Sequence, residues 1–150
     1  MNIKVKQLNK SNFIEYGEVL DWKGAKLSST SENHDYWDGV AEYHPDGTMV
    51  CSFLRIKKNV KAQIDEMECH YKTEEILVAL EGDIVISVAL PDQSKTAPDE
   101  STLSCFTLKQ GSGVVLKAGL WHALPCSVST GASMTLVVFK KNTSHCEDQN

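Results

Sequence analysis

No run in this chain of 150 residues stays apolar for the ~20 residues that a helix needs to cross a bilayer. The opening "MNIKVKQLNK" has neither an apolar core nor a small-residue cleavage site, so no secretory signal and a cytoplasmic location are expected. Basic charge is also in short supply. Lys and Arg number 15 against 20 Asp and Glu, a net charge of −5, which leaves nucleic-acid binding without an electrostatic footprint. The five cysteines, Cys51, Cys69, Cys105, Cys126 and Cys146, are odd in number and form no CxxC. Neither a disulfide frame nor a thiolate zinc site is indicated; they read as small apolar residues, most of them on strands. There is no internal repeat.

What the sequence does contain is β-rich. Its hydrophobic fraction of 41% and charged fraction of 23% are those of an ordinary globular domain, and its length suits a single domain over 1–150. Within residues 1–21, a strand from Ile3 to Leu8 is expected first. A short helix follows, capped at Ser11, with Phe13, Tyr16 and Leu20 at helical spacing. Residues 22–38 turn to Ser, Asn, Asp and Gly, a long polar loop.

"MVCSFLRI" (49–56) predicts a strand with Met49, Cys51, Phe53 and Arg55 on one face. "EEILVALEG" and "DIVISVAL" predict two strands joined by a tight hairpin at Glu81-Gly82-Asp83. A polar loop at 91–102 precedes strand segments at 103–109, 113–119, 121–128 and 134–140, and 141–150 reads as a flexible tail. Many short strands with one short helix predict an all-β antiparallel barrel or sandwich.

Chemistry-bearing residues gather in two places. Glu68 and His70 lie two apart, so on an extended strand they point the same way. Glu75 follows after four residues, and Gly82 after six more. Downstream, Gly111 is followed after five residues by Lys117-x-Gly119-x-x-His122, and three residues on comes Cys126.

These two segments resemble the paired motifs of the cupin superfamily, with Glu68 in place of the first motif's first histidine. In the second, Lys117 and Cys126 stand where proline and asparagine are usual. A closer resemblance covers most of the chain. "FIEYGEVL" near the start, "SFLR" at 52–55, "ExH" at 68–70 and "GV…WH" at 113–122 resemble the ureidoglycolate lyase family. That resemblance implies a cupin jelly-roll barrel with one short N-terminal helix, a homodimer, and cleavage of ureidoglycolate to glyoxylate and urea. The chain departs from the family at Glu75, where Gln is usual. It departs again around the Trp121-His122 pair, which Lys117-Ala118-Gly119 precedes and Ala123 follows.

A cupin site would draw Glu68, His70, Glu75 and His122 from separate strands to one divalent ion. Imidazole and carboxylate suit Mn, Fe, Ni, Co or Zn. Taken singly, the glutamates read as solvated strand-edge residues and the histidines as hydrogen-bonded ones; together, at this spacing, they read as a site. Glu68 or Glu75, whichever is not ligated, would be the catalytic base and then acid, with His122 essential. Arg55 on its strand face needs an anion, either a substrate carboxylate or a site glutamate. Lys117 could add a second substrate-binding cation at the mouth. The partner expected is a small carboxylate, with no nucleic acid and no membrane. Two other functions stay open: a cupin acting as a sugar isomerase or dioxygenase, and a binding cupin without catalysis.

Overall fold

The computed structural model describes residues 3–57, 63–128 and 131–143. Strands β1 (Val5–Gln7) and β2 (Gly17–Leu20) flank a single helical turn, α1 (Lys10–Phe13). The polar loop holds only a minimal hairpin, β3 (Ser29–Thr30) with β4 (Asp35–Tyr36). Then come β5 (Met49–Ile56), β6 (Glu68–Cys69), β7 (Glu75–Glu81) and β8 (Ile84–Ala89). The chain continues through β9 (Ser104–Leu108), β10 (Gly113–Leu116), β11 (Trp121–His122), β12 (Cys126–Ser127) and β13 (Ser133–Lys140). The expected tail from 144 onward and Cys146 lie outside the described residues.

Two sheets carry the fold. One has the order β1-β9-β8-β11-β6, with β12 also paired to β8; the other has the order β2-β10-β7-β13-β5. The pairings are antiparallel apart from β1 with β9. This is the all-β, two-sheet jelly-roll arrangement expected, with one short helix near the start. Leu77 and Ala79 of β7, Ile84, Ile86 and Val88 of β8, and Phe106 of β9 belong to one buried apolar cluster. Burying both sheets' apolar faces against each other is what closes the domain.

Three local expectations are corrected. Glu81-Gly82-Asp83 is not a hairpin, because β7 and β8 lie in different sheets and the turn crosses between them. Gly82 takes a φ of 72°, and Asp83 accepts from Lys109 Nζ at 2.7 Å and Gln110 N at 2.9 Å, which pins the crossover. The Lys109 ammonium holds the Asp83 carboxyl below its ordinary range.

The helix starts earlier and stops sooner than its spacing predicts. Asn9, not Ser11, is the cap: its side chain accepts from Asn12 N at 2.9 Å, while the Asn12 side chain accepts from Asn9 N at 3.0 Å. Leu20 belongs to β2, which pairs with β10 from Gly17↔Leu116 to Gly113↔Leu20. Glycine makes that pairing possible, since a Cβ at position 17 would sit 1.9 Å from Val115 O. Gly17→Ala should therefore push β2 off β10 and cost ~1–3 kcal/mol. That is a melting-temperature drop of several degrees by calorimetry; an unshifted transition would contradict the close approach.

The third correction concerns β5. Its buried side carries Leu54 and Ile56, and Cys51, Phe53 and Arg55 point outward. Register decides this: Leu54 and Ile56 pair with Thr135 and Ser133, both buried in the interior, so the alternate residues must face away. Phe53 is 71% exposed. Arg55 is exposed beside it, not turned toward a site.

Candidate metal centre

β11 lies between β8 and β6, with His122 opposite both Val88 and Glu68. Directly opposed residues share a face, and Val88 is core, so Glu68 and His122 both point between the sheets. Trp121, Cys69 and Ala89 take the other face and form a separate apolar cluster. His70 follows β6 directly. Glu75 arrives from the second sheet, at the start of β7, on the same inward side as Leu77.

The four side chains meet. His122 Nε2 stands 3.5 Å from Glu68 Oε1 and 3.8 Å from Glu75 Oε2, and His70 Nε2 stands 3.2 Å from Glu75 Oε2. The imidazole centroids are 5.2 Å apart. His70, His122 and Glu75 are buried, and Glu68 is partly so. Glu68, His70 and His122 each offer one ligand atom within 4.8 Å of the others. Glu75 stands against the two histidines, outside that triplet.

One contact sets the polarity of the centre. His122 Nδ1 lies 3.2 Å from Leu120 O. A carbonyl only accepts, so the proton sits on Nδ1 and the Nε2 lone pair faces the carboxylates. That nitrogen is buried and has no hydrogen-bond partner among the described residues. A buried lone pair beside two carboxylate oxygens is unfavourable unless a cation or proton lies between them. A backbone carbonyl fixing the ring tautomer is also the usual support of a metal-binding histidine. The donor set fits a divalent ion.

Arg55 and Lys117 are not brought to this group. Arg55 projects from the outward face of β5. Lys117 Nζ donates instead to Ile14 O at 2.7 Å and Glu15 O at 3.1 Å, carbonyls just past the end of α1 that no helical turn satisfies. Trp22 meets Trp37 at a tilt of 55°, with ring centroids 4.9 Å apart. Cys126 does not share the face of His122: it pairs with Val85, whose neighbours Ile84 and Ile86 take the core side. Residues 123–125 break the strand and with it the alternation. Burial pushes the Cys126 thiol up, away from a nucleophile's range.

Sequence reasoning missed the supports made of backbone. The Leu120 carbonyl is one. Gly119 N is another, donating to His70 O at 2.8 Å from a turn with Gly119 at φ 82°. A strap from the segment between β4 and β5 is a third, with Glu42 N donating to Glu18 Oε2 at 2.9 Å and His44 N to Glu74 Oε2 at 2.7 Å. The turn glycine was the one visible signal.

Among solved structures the chain is similar to a Bacillus subtilis oxalate decarboxylase with Mn(II) centres. The identity is 13% and the TM-score 0.48, over 65% of this chain and 23% of that one. An oxalate decarboxylase of Lactobacillus farciminis, in complex with formate, is similar at 18% identity and a TM-score of 0.48, over 66% and 26% of the two chains. The chain thus spans about a quarter of the length of those enzymes. No curated protein matches it. The family model for ureidoglycolate lyase, by contrast, matches residues 1–150. Whole-chain agreement of that kind settles the family: the chain belongs to the ureidoglycolate lyases.

Proposed function

We propose that Glu68, His70, Glu75 and His122 form the active centre of a lyase that splits ureidoglycolate into glyoxylate and urea. One divalent ion would be held there by Glu68, His70 and His122. The observation that carries this is the buried His122 lone pair facing two carboxylates, in a chain that matches the family over its whole length. Nitrogen and oxygen donors without thiolate suit Mn, Fe, Ni, Co or Zn. When bound, such an ion acts as a Lewis acid on the carboxylate and hydroxyl oxygens of a 2-hydroxy acid.

The chain's own groups then divide the work. Glu75 lies outside the ligand triplet and within reach of His70 Nε2. It takes the proton from the hydroxyl on the carbon that bears nitrogen. The oxygen's electron pair becomes the new carbonyl bond of glyoxylate, the C–N bond breaks, and Glu75 returns the proton to the departing urea nitrogen. Leu120 O holds His122, and His70, if it ligates through its Nδ1, unpartnered among the described residues, would keep its Nε2–H to hold Glu75. Arg55, the chain's single arginine, faces outward, so it does not orient the substrate carboxylate.

A cytoplasmic location is part of this reading, and the odd cysteine count supports it. Two copies pair through the outer face of the second sheet. An apolar row across that face, Phe53 opposite Leu136 opposite Val78, supports this.

Elemental analysis of the purified protein, then a ureidoglycolate assay before and after chelation, tests the reading. About one divalent ion per chain is expected, with urea and glyoxylate release lost on chelation and restored by re-addition. Full turnover by metal-free protein would overturn it. Light scattering on the same sample should give twice the mass of one chain, 16.6 kDa.

A further inference from the structure

We propose that a second small-molecule site lies beside the centre, built for a compact carboxylate with an apolar body. A half-open cavity of about 280 Å³ lies at the surface between the 117–120 turn, the loop after β8 and Glu15. Small-molecule pockets begin near ~300 Å³, so the ligand is small. Leu90, Pro91, Leu120 and the Tyr71 ring supply apolar lining. None of Glu68, His70, Glu75 and His122 lines it, so it is not the mouth of the metal centre.

Charge selects the occupant. Lys95 and Lys117 line the cavity with Glu15, leaving one positive charge in excess. Neither ammonium has a carboxylate partner among the described residues: Lys117 Nζ meets only the carbonyls of Ile14 and Glu15. The Lys95 backbone is fixed, its carbonyl accepting from Tyr71 Oη at 2.8 Å, so the side chain starts from an anchored position. A monoanionic head meets the excess charge while an apolar body covers the leucines and proline. A cation would be repelled, and inorganic phosphate would leave the apolar lining wet.

The position gives such a ligand a route to the chemistry. Gly119 and Leu120 line the cavity, and these same residues hold His70 O and His122 Nδ1. An occupant would press on the turn that orients both imidazoles.

Hexanoate is the probe, with hexan-1-ol as its uncharged counterpart, titrated into ¹⁵N-labelled full-length protein. Saturable shifts of the Gly119 and Leu120 amides are expected, with a Kd of ~1 mM or tighter for hexanoate and binding ~10-fold weaker for the alcohol. Lys95→Glu should weaken hexanoate by ~5-fold or more, and Lys95→Gln by less. Silent amides, equal binding of acid and alcohol, or undiminished binding to Lys95→Glu would each overturn the site. The urea assay does not enter, so its outcome is independent.

Discussion

Replacing His122 with alanine should empty the centre: bound metal should fall from about one ion per chain to ~0.1 or less, and urea release should fall ~100-fold or more. Loss of a group that merely supports a ligand costs 10–100-fold in metal affinity or activity, and loss of a ligand itself costs more. His122 is the hinge of the arrangement because its Nε2 stands within 4 Å of both glutamates, Glu68 at 3.5 Å and Glu75 at 3.8 Å. Without its imidazole, Glu68 and Glu75 lose the nitrogen that both approach. The fold should survive, since β11 is held to β8 and β6 by backbone pairing that alanine retains. Unchanged circular dichroism with lost metal is the expected pair of readings. A variant that keeps its metal and turnover would remove His122 from the centre, and a variant that unfolds would show the ring to be structural.

How much of this was legible beforehand differs between spacing and parity. The spacing Glu68-x-His70, then Glu75, then His122 depends on residues that must converge on one point, and the structure brings those four together. Faces and connections were less legible. Period-2 alternation along "MVCSFLRI" says that Arg55 and Phe53 share a face. It does not say which face is buried, and pairing with Ser133 and Thr135 on β13 turned Arg55 outward. Glu81-Gly82-Asp83 carries hairpin residues, but whether consecutive strands pair or cross between sheets is decided by the core. Lys117 had two destinations, and unsatisfied carbonyls past α1 took it. Backbone supports such as Leu120 O leave no trace in side-chain identity.

Phe106→Ala should be the most damaging single change outside the centre, costing ~3–5 kcal/mol. Phe106 is wholly buried in the middle of β9, between β1 on one side and β8 on the other. Its ring meets Phe13 edge-on at 5.2 Å and Tyr16 at 5.7 Å, and Tyr16 in turn donates to Thr102 O at 2.8 Å. The residue therefore ties α1 and its exit to the sheet that carries β11. The same exit supplies the carbonyls that hold Lys117, at the start of the turn that orients His70 and His122. Against a typical stability of 5–15 kcal/mol, the loss should lower the melting temperature by ~10 °C or more. Leu124→Ala removes a side chain that is 70% exposed, and its effect should stay within ~0.5 kcal/mol. Equal melting shifts for the two variants would mean that the interior is not organised around this aromatic contact.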